Sequence, residues 1–152
     1  MTRTAGYKTP VSVLVVVHTA AGEVLLLERA TPPGFWQSVT GSLEPGETPQ
    51  QAARRELEEE TGLTTEAGEF RDHRHSVRFP ILPAWRHRYA PDVRENTEHW
   101  FSLRLPRQLP IRLSPAEHRD LHWLGWRAAA AQASSWTNRD AILALGAELD
   151  AG

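Results

Sequence analysis

The chain has 152 residues, 40% of them hydrophobic and 24% charged, which suits one globular domain with a sizeable core and no linker. A formal net charge of −2 gives no global basic footprint, so bulk attraction to nucleic acid or to an anionic membrane is not indicated, and an anionic ligand has to be met by local positive charge. Cysteine is absent, which excludes disulfides, thiol nucleophiles and Cys-based zinc sites and suits the cytoplasm; no signal-peptide pattern opens the chain, and its longest apolar run is too short to span a bilayer.

That run, Val11 to Val17 with only Ser12 interrupting, reads as a strand buried on both faces, and Val24 to Leu27 reads as its neighbour across the turn Ala20-Ala21-Gly22-Glu23. Lys8 and Arg29 bracket the pair, either as ordinary surface charges or as phosphate contacts. Arg29 is the stronger phosphate candidate, because the loop Pro32-Pro33-Gly34 after it leads towards an acidic helix. Phe35 to Gly41 then reads as one short strand. In it Trp36 is either core or a ring platform, and Thr40 either a satisfied strand hydroxyl or a ligand contact.

The stretch Gly41 to Leu63, GSLEPGETPQQAARRELEEETGL, is a tight turn followed by a helix. In Glu44-Pro45-Gly46-Glu47, Pro presets φ at the first corner of a type II turn and Gly allows the positive φ of the second. Thr48 is a good N-cap, Pro49 suits the first helical position, Gln51 completes a capping box, and Gly62 followed by Leu63 is the stop. At 100° per residue Glu56, Glu59 and Glu60 share a sector beside an apolar stripe of Ala53 and Leu57, while Arg54 and Glu58 point outward. Like charges so spaced oppose helix formation by a few tenths of a kcal/mol per pair, so something positive should sit among them. Oxygen-only ligands favour Mg²⁺ or Mn²⁺, which keep several waters and bridge to phosphates. Arg55, one turn before Glu59, can orient it.

Beyond the helix, Phe70 to Arg88 interleaves His and Arg with Phe79, Ile81, Leu82 and Trp85. This is either a cationic and aromatic wall for a polyphosphate carrying a flat heterocycle, or a two-stranded hairpin with one wet face. His73, His75 and His87 lack the spacing and partners of a zinc site. Glu98 to Leu105 reads as a strand ended by Pro106, and Leu121 to Trp126 as a last strand, which leaves Glu117 on a loop from which it either reaches a metal or lies exposed. Ala128 to Ala133 reads as a short helix. Asn138 is the expected cap of a final helix through Leu149, with Ile142, Leu145 and Leu149 as its apolar stripe.

Gly41, five residues, Glu47, seven residues, Arg55-Glu56-Leu57, one residue, Glu59-Glu60, one residue and Gly62-Leu63 together resemble the signature of the Nudix hydrolases at every defining position. Other phrases are similar to the folate-pathway branch of that family, which cleaves dihydroneopterin triphosphate. They are Tyr7-Lys8 with Pro10-Val11-Ser12, Phe35 to Ser42, His87 to Pro91, Asn96-Thr97-Glu98 with Trp100-Phe101, Glu117-His118 with Trp123-Leu124, and Ser135-Trp136 with Asn138-Arg139. The resemblance implies one Nudix domain over residues 1–152 with its signature at 41–63, an αβα sandwich around a mixed β-sheet, and metal-dependent cleavage between the α and β phosphates to dihydroneopterin monophosphate and pyrophosphate. Mapped by motif, it implies Glu56, Glu60 and Glu117 as metal ligands with Glu59 close by. It also implies Glu59 as the favoured general base with Glu117 its rival, and Lys8, Arg29, Thr40 and Ser135 as substrate contacts. Trp36, Trp85 and Trp136 are the candidates to stack on the pterin. Two alternatives stay open: a Nudix hydrolase acting on dATP or oxidised purine nucleotides, and a non-catalytic sensor of a nucleotide metabolite. Oligomeric state has no signature in the sequence.

Overall fold

Val-rich β1 (Val11–Thr19) is buried at every position after its first, so neither face reaches solvent. In the computed structural model, which describes residues 6–151, its side chains alternate between two cores. Val13, Val15 and Val17 enter one apolar cluster, and Leu14 and Val16 enter the other. The expected single domain also takes in residues 1–5 and 152, which lie outside the described residues.

Gly22, at φ 85°, closes the turn to β2 (Glu23–Arg29), which runs back antiparallel with Val24 opposite His18. The two strands then splay into a fork, and the next segment fills it. β3 (Trp36–Gln37) pairs with β2 at Leu27 and Glu28, whereas β4 (Val39–Ser42) pairs with β1 from Ser12 to Val15. The single strand expected over Phe35 to Gly41 is therefore two, divided at Ser38, because its two halves follow diverging partners.

Of the two readings of Phe70 to Arg88, the two-stranded hairpin is not formed, and Phe79, Ile81, Leu82, Trp85 and Arg88 line a cleft instead. One long strand, β5 (Glu69–Pro80), pairs instead with β6 (Glu95–Leu105), and a 3₁₀ helix over Pro83–Arg88 lies between them. Pro80 ends the strand and Pro83 starts the helix, since neither nitrogen can donate to a ladder. Two extra residues of β5 bulge between Asp72 and Ser76, with Arg74 at φ 51° donating its N–H to Asp72 Oδ1 at 2.8 Å. β6 lies parallel to β1, from Thr97 opposite Val11 to Leu105 opposite Thr19, and β7 (His118–Gly125) lies antiparallel to β2. The seven strands form one mixed sheet.

Helix α1 (Pro49–Thr61) packs Ala52, Ala53 and Leu57 on one face of the sheet. On the other face lie α2 (Trp126–Gln132) and α3 (Trp136–Ala151), through Ala129, Ala130, Ala141, Ile142 and Leu145. This is the expected αβα sandwich. Burial of each large aliphatic side chain in these layers contributes on the order of 1.5–3 kcal/mol. Asn138 is not the cap of α3: Ser135 Oγ accepts the Asn138 N–H at 3.2 Å, and the Asn138 amide reaches instead to Ser38 in the fork. Among the described residues, no helix is long and apolar enough to cross a membrane.

Candidate active site

The turn before α1 closes as its residues dictate, with the Glu47 N–H on Glu44 O at 3.0 Å and Gly46 at φ 79°. Thr48 and Gln51 form a capping box, and Gly62, at φ 77°, ends the helix through its N–H to Glu58 O at 2.9 Å. So framed, α1 presents Glu56 and Glu60 to the sheet and leaves Glu59 half exposed. Glu60 accepts the backbone N–H of Thr40. The Glu56 carboxylate occupies the space where a side chain at Gly41 would begin, so that glycine lets the acid press against the β4 backbone. Arg55 makes its short contacts to Glu47, at 2.8 and 2.9 Å, and to Ser42 O at 3.1 Å; its bonds to Glu59, at 3.4 Å, are long. The guanidinium thus ties the turn, β4 and the helix together, and Glu47 is the partner that sequence reasoning missed.

Burial, partly offset by Arg55 and reinforced by the Glu59 and Glu117 charges, pushes the Glu56 carboxyl up to about 7. Glu60 is driven well above the usual carboxylate range by burial, by Glu56 and by Glu117. Glu60 is 1% exposed, and its Oε1 has no hydrogen-bond partner. His118 Nε2 stands 3.9 Å from that oxygen and 3.2 Å from Gln37 Nε2, but burial and Arg29 lower its value to about 4, so a neutral imidazole does not answer the charge. Two buried acids in hydrogen-bond contact, one of them with an orphaned oxygen, fit a hard divalent cation. Among the described residues no three such groups already converge on one point; Glu117, at the foot of β7, acts on both acids from across the cleft.

The acids open into a cleft of about 690 Å³. Lys8, Arg29 and Arg88 form its cationic side. Burial, Arg88 and Arg29 lower the Lys8 ammonium, and burial and Arg88 lower Arg29, so the three cations are close enough to repel one another and to need an anion. Arg88, which sequence reasoning did not single out, comes from the 3₁₀ helix, and its backbone carbonyl accepts the Lys8 N–H at 2.8 Å. Trp85 lines the cleft beneath Arg29 and Arg88, whose guanidinium carbons lie 5.2 and 5.9 Å from its ring centroid. Thr40 and Ser135 also line it, but the Thr40 hydroxyl already donates to Val13 O at 2.9 Å and the Ser135 hydroxyl caps α3. Trp36 is turned into the core, stacked on His122 at 4.1 Å, whereas Trp136 faces the cleft.

A NUDIX domain model matches residues 8–145. The dihydroneopterin triphosphate diphosphatase of Escherichia coli K12 is 48% identical over 139 residues, covering 90% of this chain and 91% of the relative. The Haemophilus influenzae protein of the same name is 40% identical, covering 90% and 87%. The solved structure of the E. coli dihydroneopterin triphosphate pyrophosphohydrolase superimposes with a TM-score of 0.88 at 46% identity, over 93% of this chain and 98% of that one.

Proposed function

Because the chain belongs to the Nudix hydrolase family, we infer that it hydrolyses dihydroneopterin triphosphate to dihydroneopterin monophosphate and pyrophosphate, a step of folate biosynthesis. One observation carries this reading: a buried acid pair and a cationic rim share one cleft, in a chain alike over most of its length to enzymes of that activity. The protein works as a single Nudix domain in the cytoplasm, on a small-molecule triphosphate.

Glu56, Glu60 and Glu117 would hold a divalent cation, Mg²⁺ or Mn²⁺, which when bound would neutralise phosphate charge and make an attacking water more acidic. The residues of the chain do the rest. Lys8, Arg29 and Arg88 clamp the phosphates and take up charge developing on the pyrophosphate leaving group. Trp85 backs Arg29 and Arg88 and keeps their guanidinium planes on the cleft. Glu59, outside the buried pair and at the cleft wall, takes the water proton as the new P–O bond forms and the α–β bridge breaks. Arg55 holds the Glu47 turn and α1 in register so that the acids stay in place.

The test is phosphorus NMR of products with kcat/KM for dihydroneopterin triphosphate, dATP and 8-oxo-dGTP in Mg²⁺. Pyrophosphate release with a clear pterin preference is expected. Orthophosphate release, or a preference for a purine triphosphate, overturns the assignment.

A further inference from the structure

Strand β4 is four residues long and pairs with β1 alone, so no strand holds its outward edge. Alternate residues turn their backbone groups to that edge. Two of these groups already belong to the acid site: the Thr40 N–H goes to Glu60, and the Ser42 carbonyl accepts Arg55 at 3.1 Å. Gly41 between them is where the Glu56 carboxylate rests. A third group on the edge is held from elsewhere. The Ser38 N–H goes to Asn138 Oδ1 at 2.6 Å, and Asn138 Nδ2 returns to Ser38 Oγ at 3.0 Å, with both residues 1% exposed. Beside this clamp Ser134 takes both backbone groups of Trp36, its Oγ accepting the Trp36 N–H and its own N–H going to Trp36 O, each at 2.9 Å. The corner between α2 and α3 therefore grips the fork from outside, and Asn138 is the member of that grip bound next to β4.

Without Asn138, the outward edge of β4 is fastened only to the acid site that the strand itself has to place. Resting on the reading of Glu56 and Glu60 as the cation site, and on no particular triphosphate, we propose that Asn138 is a positioning residue for the acid pair: it fixes β4 at Ser38 and so keeps Thr40 against Glu60 and Gly41 against Glu56. A primary amide suits this task, since it gives one acceptor to a backbone N–H and one donor to a hydroxyl. It also adds no charge to a cleft whose acids already repel one another. The clamp is anchored in turn, because the Ser135 hydroxyl receives the Asn138 N–H at 3.2 Å. Groups that orient metal ligands from behind typically change metal affinity by 10- to 100-fold when removed.

The experiment reads the metal-free protein and Mn²⁺ binding as well as turnover, in wild type, Asn138→Ala and Asn138→Asp. In EDTA, amide hydrogen exchange followed by NMR is expected to quicken at least about tenfold at Thr40 and Gly41 in Asn138→Ala, while Val16 and Val17, farther along β1, keep their protection. Free-Mn²⁺ EPR is expected to show Kd rising roughly 10- to 100-fold, with kcat falling more than KM rises. Asp has the shape of Asn and still accepts the Ser38 N–H, so Asn138→Asp is expected to restore the Thr40 protection. A folded Asn138→Ala with wild-type Mn²⁺ affinity and Thr40 protection overturns the proposal. So does equal loss of protection at Thr40 and Val16, the mark of a merely structural role, or a folded Asn138→Asp that exchanges Thr40 as fast as Asn138→Ala. If Asn138→Ala does not fold, Ser38→Ala takes its place: it keeps the backbone bond and loses the hydroxyl one, with a Kd rise of roughly 2- to 10-fold expected and an unchanged Kd overturning the proposal. If wild type binds no Mn²⁺, the acid-pair reading falls, and Thr40 exchange still decides whether Asn138 fixes β4.

Discussion

Replacing Glu56 by Gln should stabilise the metal-free protein at neutral pH while abolishing turnover. With its carboxyl at about 7 in the fold, against 4.5 for the unperturbed group, Glu56 keeps its proton in the native state when the unfolded chain has lost it. Its contribution to stability is therefore fully present below pH 4.5 and is lost as pH rises through 7. At 1.36 kcal/mol per pKa unit the loss is about 3 kcal/mol, a ceiling because Glu60 shares the repulsion. The assay is urea and thermal unfolding in EDTA at pH 4.5 and pH 7.5. Wild type and Glu56→Gln should agree at the lower pH. At pH 7.5 the variant should be up to about 3 kcal/mol more stable, roughly 6–12 °C in melting temperature for a chain of this size. Adding Mg²⁺ should raise the wild-type midpoint through mass action and leave the variant nearly unmoved, and the variant's kcat should fall by orders of magnitude. A variant less stable than wild type at pH 7.5 in EDTA would refute the view of Glu56 as a buried charge that Arg55 only partly offsets.

Two further outcomes separate site from scaffold. Gly41→Ala puts a methyl group where the Glu56 carboxylate lies; the acid is the far end of a flexible side chain, so it moves aside, and kcat should drop at least about tenfold with little change in melting temperature. Gly146→Ala tests the opposite kind of glycine: a Cβ there meets the Trp126 indole, which Arg127 covers at 4.2 Å on a ring face. Overpacking of roughly 1–3 kcal/mol should outweigh a helix-propensity gain of up to about 1 kcal/mol, lowering the denaturant midpoint without altering kcat/KM.

What could be read from the sequence was the part governed by near neighbours. The turn at Glu44 to Glu47, the Thr48 cap, the Gly62 stop and the shared sector of Glu56, Glu59 and Glu60 each depend on residues within one or two turns of one another, and all appear as expected. Readings that depended on distant partners failed. Phe70 to Arg88 has the composition of a hairpin, but its mate is β6, and two prolines break the run. Asn138 is a good cap by type, yet Ser135 precedes it and the fork claims its amide. Arg55 does bond Glu59, as its helical spacing implies, but at 3.4 Å, while the turn brings Glu47 to 2.8 Å.

The fork at Ser38 also determines where this fold tolerates changes in chain length. Seven residues, Trp36 to Ser42, must touch β2 at one end and β1 at the other, with Ser38 held from α3 between them. Deleting or inserting one residue there turns every later side chain of β4 to the opposite face. Gly41 would leave the acid pair, and the start of α1 would rotate with it. The bulge of β5 is the counterpart, since two surplus residues between Asp72 and Ser76 are already accommodated at an outer strand. Loop grafts, affinity tags or circular permutations belong at that bulge, and the fork is the segment whose length has to be left alone.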